Sequence, residues 1–276
     1  MSPRRCLNAC IAVLGLVTAA CGNVAGEAAS APALQNAPAT PSPAPREFLE
    51  IGAGEPSPES RPPRQMAAPA PRSLERWEWA VHSKSDRLDV WSGPEGGALL
   101  TSIDAVNPWD QRLAFPIRDV VESGGETWYQ VLLGIEPNGS DGWVRGDDVA
   151  LDRMRHQVVI DLSQRVLRHY RNGNLRHRFT VGIGAPDTPT TRGRFFVWAH
   201  LNPSDSSGPY GSYLLGLSGF SEVLTDWPGG GRMAIHGTDD PTDPGRRVSF
   251  GCARVYNRQM NKLRPIPMGT TVLIRR

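Results

Sequence analysis

The chain has 276 residues, 39% of them hydrophobic, which is enough to bury at least one core and excludes a wholly disordered protein. Its formal charge of +2 shrinks to 28 basic against 28 acidic residues once Arg4 and Arg5 are assigned to a removable leader. A balanced mature chain gives no electrostatic case for binding nucleic acid or an anionic membrane surface.

Met1 to Arg5 carries positive charge, and Ile11 to Ala20 is an apolar run ending in small residues directly before Cys21. That is the build of a secretory signal over residues 1–21, and the run is too short to span a bilayer. Thr18-Ala19-Ala20-Cys21 resembles the lipobox of bacterial lipoproteins, with Thr18 in place of the usual aliphatic residue. The resemblance implies lipidation of Cys21 and an extracytoplasmic protein held to the membrane by that anchor alone; ordinary cleavage after Ala19 or Ala20, without lipid, stays open. Residues 22–75 are dominated by Ala, Pro, Ser and Gly and lack a periodic apolar pattern, so they are expected to form a disordered, partly extended tether.

Residues 76–152 change character to short apolar runs broken by turn signals. Leu88 to Trp91, Thr127 to Leu133 and Gly142 to Arg145 read as strands, with Pro137-Asn138-Gly139 as a tight turn, and no segment shows helical periodicity. With Gly142-Trp143-Val144 near its end, the region resembles a bacterial SH3-like barrel. From residue 155 to 276, His156 to Leu162, Arg165 to Tyr170 and Leu175 to Ile183 form an expected antiparallel meander, its hairpin set by Asn172-Gly173. Arg194 to Ala199 adds a strand. The stretch from His200 to Gly231, rich in Gly, Pro and Ser, reads as a long loop able to fold over a site, with Gly208, Gly211, Gly219 and Gly229 to Gly231 as flexible points. The fold class expected is mainly β, with one or two short helices.

Met233 to His236 is an apolar strand ending in histidine, and ten residues beyond Gly237-Thr238 comes Ser249-Phe250-Gly251-Cys252-Ala253-Arg254. Val255, Tyr256, Met260 and Leu263 suggest a helix that Pro265 and Pro267 end, which would set Cys252 at a helix N-terminus with a lowered thiol pKa. Cys6, Cys10 and Cys21 all precede the tether, so Cys252 is the one thiol of the folded part; no second cysteine pair follows at zinc-ligand spacing, and one remaining thiol makes no disulfide framework. A cysteine with a histidine as base is the arrangement for acyl transfer through a thioester, and the amides at Gly251 and Cys252 are expected to receive the oxyanion. The remaining histidines, His82, His156, His169, His177 and His200, form no ligand spacing and are expected to be solvated.

His236-Gly237-Thr238 followed by Ser249-x-Gly251-Cys252-x-Arg254 resembles the signature of the L,D-transpeptidase catalytic domain, the YkuD family. Thr188-Pro189-Thr190-Thr191-Arg192-Gly193, Gly208-Pro209-Tyr210 and Leu215-Gly216-Leu217 extend the likeness, while Phe250 and Thr191 depart from it. The resemblance implies a β-sandwich in which Cys252 is the nucleophile, His236 the base and the Gly237 carbonyl the group that orients the imidazole. Ser249, Phe250, Gly251 and Arg254 would shape the oxyanion site and pocket, with Arg246, Arg247 and Arg254 as partners for substrate carboxylates. The implied reaction cleaves a peptidoglycan tetrapeptide stem after its third residue, releases D-Ala and passes the thioester to an amine of a neighbouring stem, making a 3-3 cross-link. No metal or cofactor is called for, and carbapenems are the implied covalent inhibitors. Hydrolysis of the same thioester by water, an L,D-carboxypeptidase activity, and a non-catalytic wall-binding lipoprotein are the alternatives.

Overall fold

The computed structural model describes residues 52–53, 77–95, 97–224, 230–238 and 240–276. The signal, Cys21 and the tether lie outside them except for strand β1, Gly52–Ala53, which pairs antiparallel with Asn202 and Leu201. Within the expected tether, this pair is ordered against the folded part. Among the described residues no helix is long and apolar enough to cross a membrane.

The chain is mainly β, as its composition of short apolar runs implied. The first seven-stranded sheet holds β2 (Trp79–Ser83), β3 (Arg87–Trp91), β4 (Leu99–Asp104), β5 (Phe115–Ser123), β6 (Glu126–Leu132), β7 (Asp141–Arg145) and β8 (Val149–Arg153), in the order β4-β3-β7-β6-β5-β2-β8. The three expected strands are β3, β6 and β7; the other four were not evident. Alternation directs Leu88 and Val90 of β3 inward onto Phe115, Tyr129, Val131 and Val144. Pro116 within β5 masks that strand in the sequence, and β4 is masked because its apolar residues Leu99 and Leu100 are exposed.

The second unit contains β9 (His156–Asp161), β10 (Val166–Arg171), β11 (Asn174–Thr180), β12 (Ile183–Gly184), β13 (Gly193–Asn202), β14 (Leu214–Phe220), β15 (Arg232–Thr238), β16 (Arg247–Ser249), β17 (Ala253–Tyr256), the short helix α1 (Asn257–Met260) and β18 (Thr271–Arg275). Its long sheet runs β11-β10-β9-β18-β13-β14-β15-β17, and β12 pairs parallel with β16 beside it. Leu167 of β10 and Val255 of β17, near opposite ends of that path, belong to one core with Leu215, Ile235, Met260 and Leu263. A sheet whose two ends share a core must fold over on itself, which gives the expected sandwich.

Two expectations fail here. The stretch 200–231 is not one loop, because Leu214–Phe220 is a strand buried at every position in the middle of the sheet. Gly216 and Gly219 disguised it, and both are there for close packing: a Cβ on Gly216 would crowd Ala199, and one on Gly219 would run into the Phe195 ring. The helix expected over 255–263 is also wrong in its first half. Ala253–Tyr256 is a strand burying Ala253 and Val255 with a period of two, and helical turns begin only at Asn257.

Both units lean on β13. Phe195 and Val197 enter the second unit's core, while Phe196 enters the first unit's core and meets the Phe115 ring edge-on at 6.0 Å. Polar clasps reinforce the junction. The Asn138 side chain donates to the Phe220 carbonyl and accepts from its amide, both at 2.8 Å, and Arg232 donates to the Gly134 carbonyl while lying over the Trp198 ring at 3.9 Å.

Candidate active site

The site begins with a bulge. Val197 pairs with Leu217 but Ala199 pairs with Gly216, so β13 carries one extra residue at Trp198. An extra residue reverses which side each following side chain faces. Phe195 and Val197 therefore point into the main core, while Ala199 and Leu201 join Leu214 and Ala234 on the other face of the sheet. His236 is level with Leu214, and the parallel pair β15–β17 sets Ile235 beside Ala253 and His236 beside Arg254. One residue earlier Cys252 comes level with Ala234, where its thiol forms a hydrogen bond with the Ala234 backbone and packs on that same small cluster. Topology thus brings Cys252 and His236, 16 positions apart in sequence, to one face of adjacent strands.

His236 is 2% exposed. Its Nδ1 lies 2.9 Å from the Gly237 carbonyl, and since a carbonyl only accepts, Nδ1 carries the proton and Nε2 keeps its lone pair. The Tyr210 ring meets the imidazole edge-on at 5.4 Å, closing one flank. Burial pulls the imidazole pKa down to about 4, aided by the Arg254 charge and opposed by the Gly237 hydrogen bond and Asp243. Burial pushes the Cys252 thiol up, with the Ala234 hydrogen bond and Arg254 acting the other way. The resting pair is thiol and neutral imidazole. The helix end expected beside Cys252 is absent, because Cys252 precedes a strand, and burial pushes its thiol up where a lowered pKa was expected.

The segment before the cysteine is braced. Ser249 Oγ donates to the Cys252 carbonyl at 2.6 Å and accepts from the Gly251 amide at 3.2 Å. The Gly251 amide, expected to face an oxyanion, is therefore already engaged. Gly251 has φ +111°, which a side chain would strain, and it turns the chain sharply into Cys252. The Thr188–Gly193 segment supports this turn: Thr188 Oγ1 donates to the Ser249 carbonyl at 3.0 Å, and Thr190 Oγ1 accepts from the Gly184 amide at 2.8 Å. Phe250, two residues before Cys252, is 54% exposed.

Arg254 is tied down, its Nη1 donating to Asp243 Oδ2 at 3.2 Å, while the buried Asp243 also accepts from Thr238 Oγ1 at 2.8 Å. Arg246 and Arg247 are exposed. Asp243 was missed because a lone acid in a Thr-Asp-Pro turn carries no pattern. Asn257 was missed too: its Oδ1 accepts from the Ser212 amide at 2.8 Å, fastening the loop that bears Tyr210 to the start of α1. Among the described residues no three His, Cys, Asp or Glu side chains gather as a metal site.

Of the histidines expected to be solvated, His156 and His169 are buried and His82, His177 and His200 are half-buried. His156 Nδ1 and His169 Nε2 lie 2.9 Å apart, and a ladder of rings continues through His177 to Phe179. His82 Nδ1 contacts Asp152 at 2.6 Å, and His200 Nδ1 contacts the Tyr213 hydroxyl at 2.6 Å. Strand alternation put His156 and His169 inside, at positions whose polar neighbours suggested solvent.

Residues 155–274 match the YkuD family, described as the L,D-transpeptidase catalytic domain. YkuD of Bacillus licheniformis, a proposed L,D-transpeptidase, is 31% identical over 156 residues, which cover 54% of this chain and 87% of that one. The Bacillus subtilis protein of the same name is 27% identical over 153 residues, covering 52% and 85%. Among solved structures, the catalytic domain of an Enterococcus faecium L,D-transpeptidase acylated by ertapenem is 23% identical, with a TM-score of 0.34, over 45% of this chain and 99% of that one.

Proposed function

The chain belongs to the YkuD family of L,D-transpeptidase catalytic domains, and on that premise we propose that it is an extracytoplasmic acyltransferase that cross-links peptidoglycan stems through a thioester on Cys252. The observation that carries the reading is that Cys252 and the Nδ1-protonated imidazole of His236 share one face of β15 and β17.

In this reading a tetrapeptide stem lies over that face with the carbonyl of its third residue at Cys252. Nε2 of His236 takes the thiol proton as sulfur attacks the carbonyl carbon, so the thiolate exists only as the bond forms. A neutral pair suits this order, because a buried imidazole held below neutral pH is ready to accept one proton. The C–N bond to D-Ala then breaks, and His236 returns the proton to the leaving amine. An amine of a neighbouring stem attacks the thioester, loses its proton to Nε2, and the C–S bond breaks to restore the thiol. The Gly237 carbonyl steadies the imidazolium in each half-reaction. Arg254, braced by Asp243, sets the field around His236 rather than gripping a substrate carboxylate.

The seven-stranded unit is read as an SH3-like module, and Cys21 as a lipidated N-terminus that tethers the enzyme beside its polymer. Mass spectrometry of the native protein checks the anchor: a mature chain beginning elsewhere without lipid removes it. A disaccharide-tetrapeptide incubated with the mature protein, with and without an acceptor amine, tests the reaction. The expected products are free D-Ala and a cross-linked dimer. Tripeptide alone in abundant acceptor would make the protein a carboxypeptidase, and no D-Ala at all would leave it non-catalytic. A carbapenem, a strained cyclic amide, is expected to acylate wild-type protein and not Cys252→Ser.

A further inference from the structure

We propose that Trp109, carried by the first unit, is a specificity-determining residue on the face that bears Cys252: it forms an apolar wall against which the peptide stem packs as it acylates the thiol. The inference rests on the transferase reading above and adds a residue from outside the catalytic unit.

The turn between β4 and β5 is built to present this side chain. Val106 and Arg112 form an isolated bridge, and the Asn107 amide donates to the Gln111 carbonyl at 2.9 Å. The buried Asn107 Oδ1 accepts from the amides of both Trp109 at 3.0 Å and Gln111 at 3.1 Å, which fixes the backbone on either side of the indole. The turn then docks on β13. Asn107 Nδ2 donates to the Trp198 carbonyl at 3.0 Å, and the Gln111 amide donates to the His200 carbonyl at 2.6 Å while accepting from the His200 N–H at 2.9 Å. Pairing with β18 ends at Phe196, so these side-chain amides take over the strand edge that β18 leaves at the bulge.

The indole is consequently aimed at the thiol-bearing face. It meets the Trp198 ring edge-on at 5.9 Å and packs on the cluster of Ala199, Leu201, Leu214 and Ala234, the same cluster that Cys252 and Tyr210 join. Tyr210 closes the His236 side, and Trp109 stands on the surface supplied by the other unit. A residue needed only to join the two units would be covered, as Phe196 is, whereas Trp109 remains half-exposed beside the site while the polar clasp of Asn107 and Gln111 does the joining. A large rigid aromatic surface next to a nucleophile recognises extended apolar and peptide surface at small entropic cost. The stem peptide that must reach Cys252 is a ligand of that kind.

The test uses the full chain with Trp109→Ala and Trp109→Phe. With a disaccharide-tetrapeptide, Trp109→Ala is expected to lower kcat/KM for D-Ala release about tenfold or more, carried mainly by a higher KM. Alkylation of Cys252 by iodoacetamide, too small to need the wall, is expected to keep its wild-type rate, and Trp109→Phe to recover most of the loss. Wild-type kcat/KM in Trp109→Ala would overturn the proposal, as would equal losses in turnover and alkylation, which would mark a purely structural role. If Trp109→Ala does not fold, Trp109→Gln, which keeps bulk and removes the aromatic face, serves in its place: wild-type KM for the stem peptide and for a shorter analogue alike overturns the proposal, and a KM raised for the stem alone supports it. Wild-type protein that releases no D-Ala removes the underlying transferase reading, and the proposal with it.

Discussion

His236 and His169 stand near opposite ends of the same sheet, on β15 and β10, and packing treats them alike: each is almost wholly buried, and each has its pKa pulled down to about 4 by that burial. What separates them is the neighbours. His169 lies between His156 and His177 at ring separations of 5.0 and 5.5 Å, with no nucleophile in the stack. His236 has Nδ1 committed to a backbone carbonyl and shares its face with a thiol. Burial and a depressed pKa are therefore results of packing and mark no site by themselves. On the proposed function, the mark of the site is a fixed tautomer beside the thiol.

The sharpest way to break this comparison is to remove each ring in turn. Cys252→Ala should abolish D-Ala release, and His236→Ala should lower kcat/KM by about 10²–10⁴-fold, the usual worth of a positioned base. His169→Phe, which keeps an aromatic ring in the stack, should leave turnover unchanged. A large loss of turnover in His169→Phe with intact folding would erase the distinction drawn here.

A second effect sharpens it through pH. Since His236 is neutral above about 4 and burial holds the thiol up, the iodoacetamide rate at Cys252 should climb steadily through neutral pH and level off only in the alkaline range. A plateau already reached near pH 6 would mean a resting thiolate and would refute the neutral pair.

The third prediction concerns stability. His169 and His200, both with pKa about 4, stay neutral in the folded chain, whereas an unfolded histidine takes up its proton near 6.5. The unfolded state binds more protons throughout that interval. Stability should be full above pH 6.5 and should fall progressively as pH drops toward 4, with little further loss from these groups below that. The charges facing His169 are His156, His177, Arg171 and Arg176, all cationic or neutral, so none offsets the cost of protonating it. Thermal melting across pH 4 to 7 checks this, and His169→Phe should show a shallower decline than wild type.

Much of this is legible in the sequence, because the informative signals are local. Asn172-Gly173 fixed a hairpin, and His236-Gly237 with Gly251-Cys252 marked the two segments that the parallel pair β15–β17 brings together. What stayed hidden depends on contacts between distant parts of the chain. Gly216 and Gly219 read as loop residues because only the positions of Ala199 and Phe195 reveal that a side chain there would not fit. The bulge at Trp198, which turns Ala199 and Leu201 toward the thiol-bearing face, is invisible in the continuous apolar run Phe195-Phe196-Val197-Trp198-Ala199. Val255 looked helical because one apolar residue fits a period of two or of 3.6 equally well. Trp109 meets β13 only across a long stretch of chain, and Asp243, although close in sequence to Thr238 and Arg254, belongs to no pattern that announces it.

The smallest expected effect sets His200 against His236 directly, since the two imidazoles use Nδ1 in opposite senses. In His236 that nitrogen donates to a carbonyl. In His200 it meets the Tyr213 hydroxyl at 2.6 Å, and burial pushes that phenol up to about 12 while holding the imidazole near 4. The phenol is the stronger donor and the neutral imidazole the stronger acceptor, so the proton lies on Tyr213 Oη and His200 Nδ1 accepts it. Tyr213→Phe keeps the ring on which the Arg264 guanidinium rests at 4.3 Å and removes only the donor. An acceptor left unpaired in a buried position costs about 1–3 kcal/mol, which should appear as a lower denaturant midpoint at unchanged slope. Because His200 shares no face with Cys252 in this arrangement of roles, D-Ala release by the folded variant should match wild type at saturating substrate. An unchanged midpoint would mean that water satisfies Nδ1 in the variant. A lost kcat would extend the catalytic network across β13 to a second histidine, and the separation between structural and reactive imidazoles would have to be redrawn there.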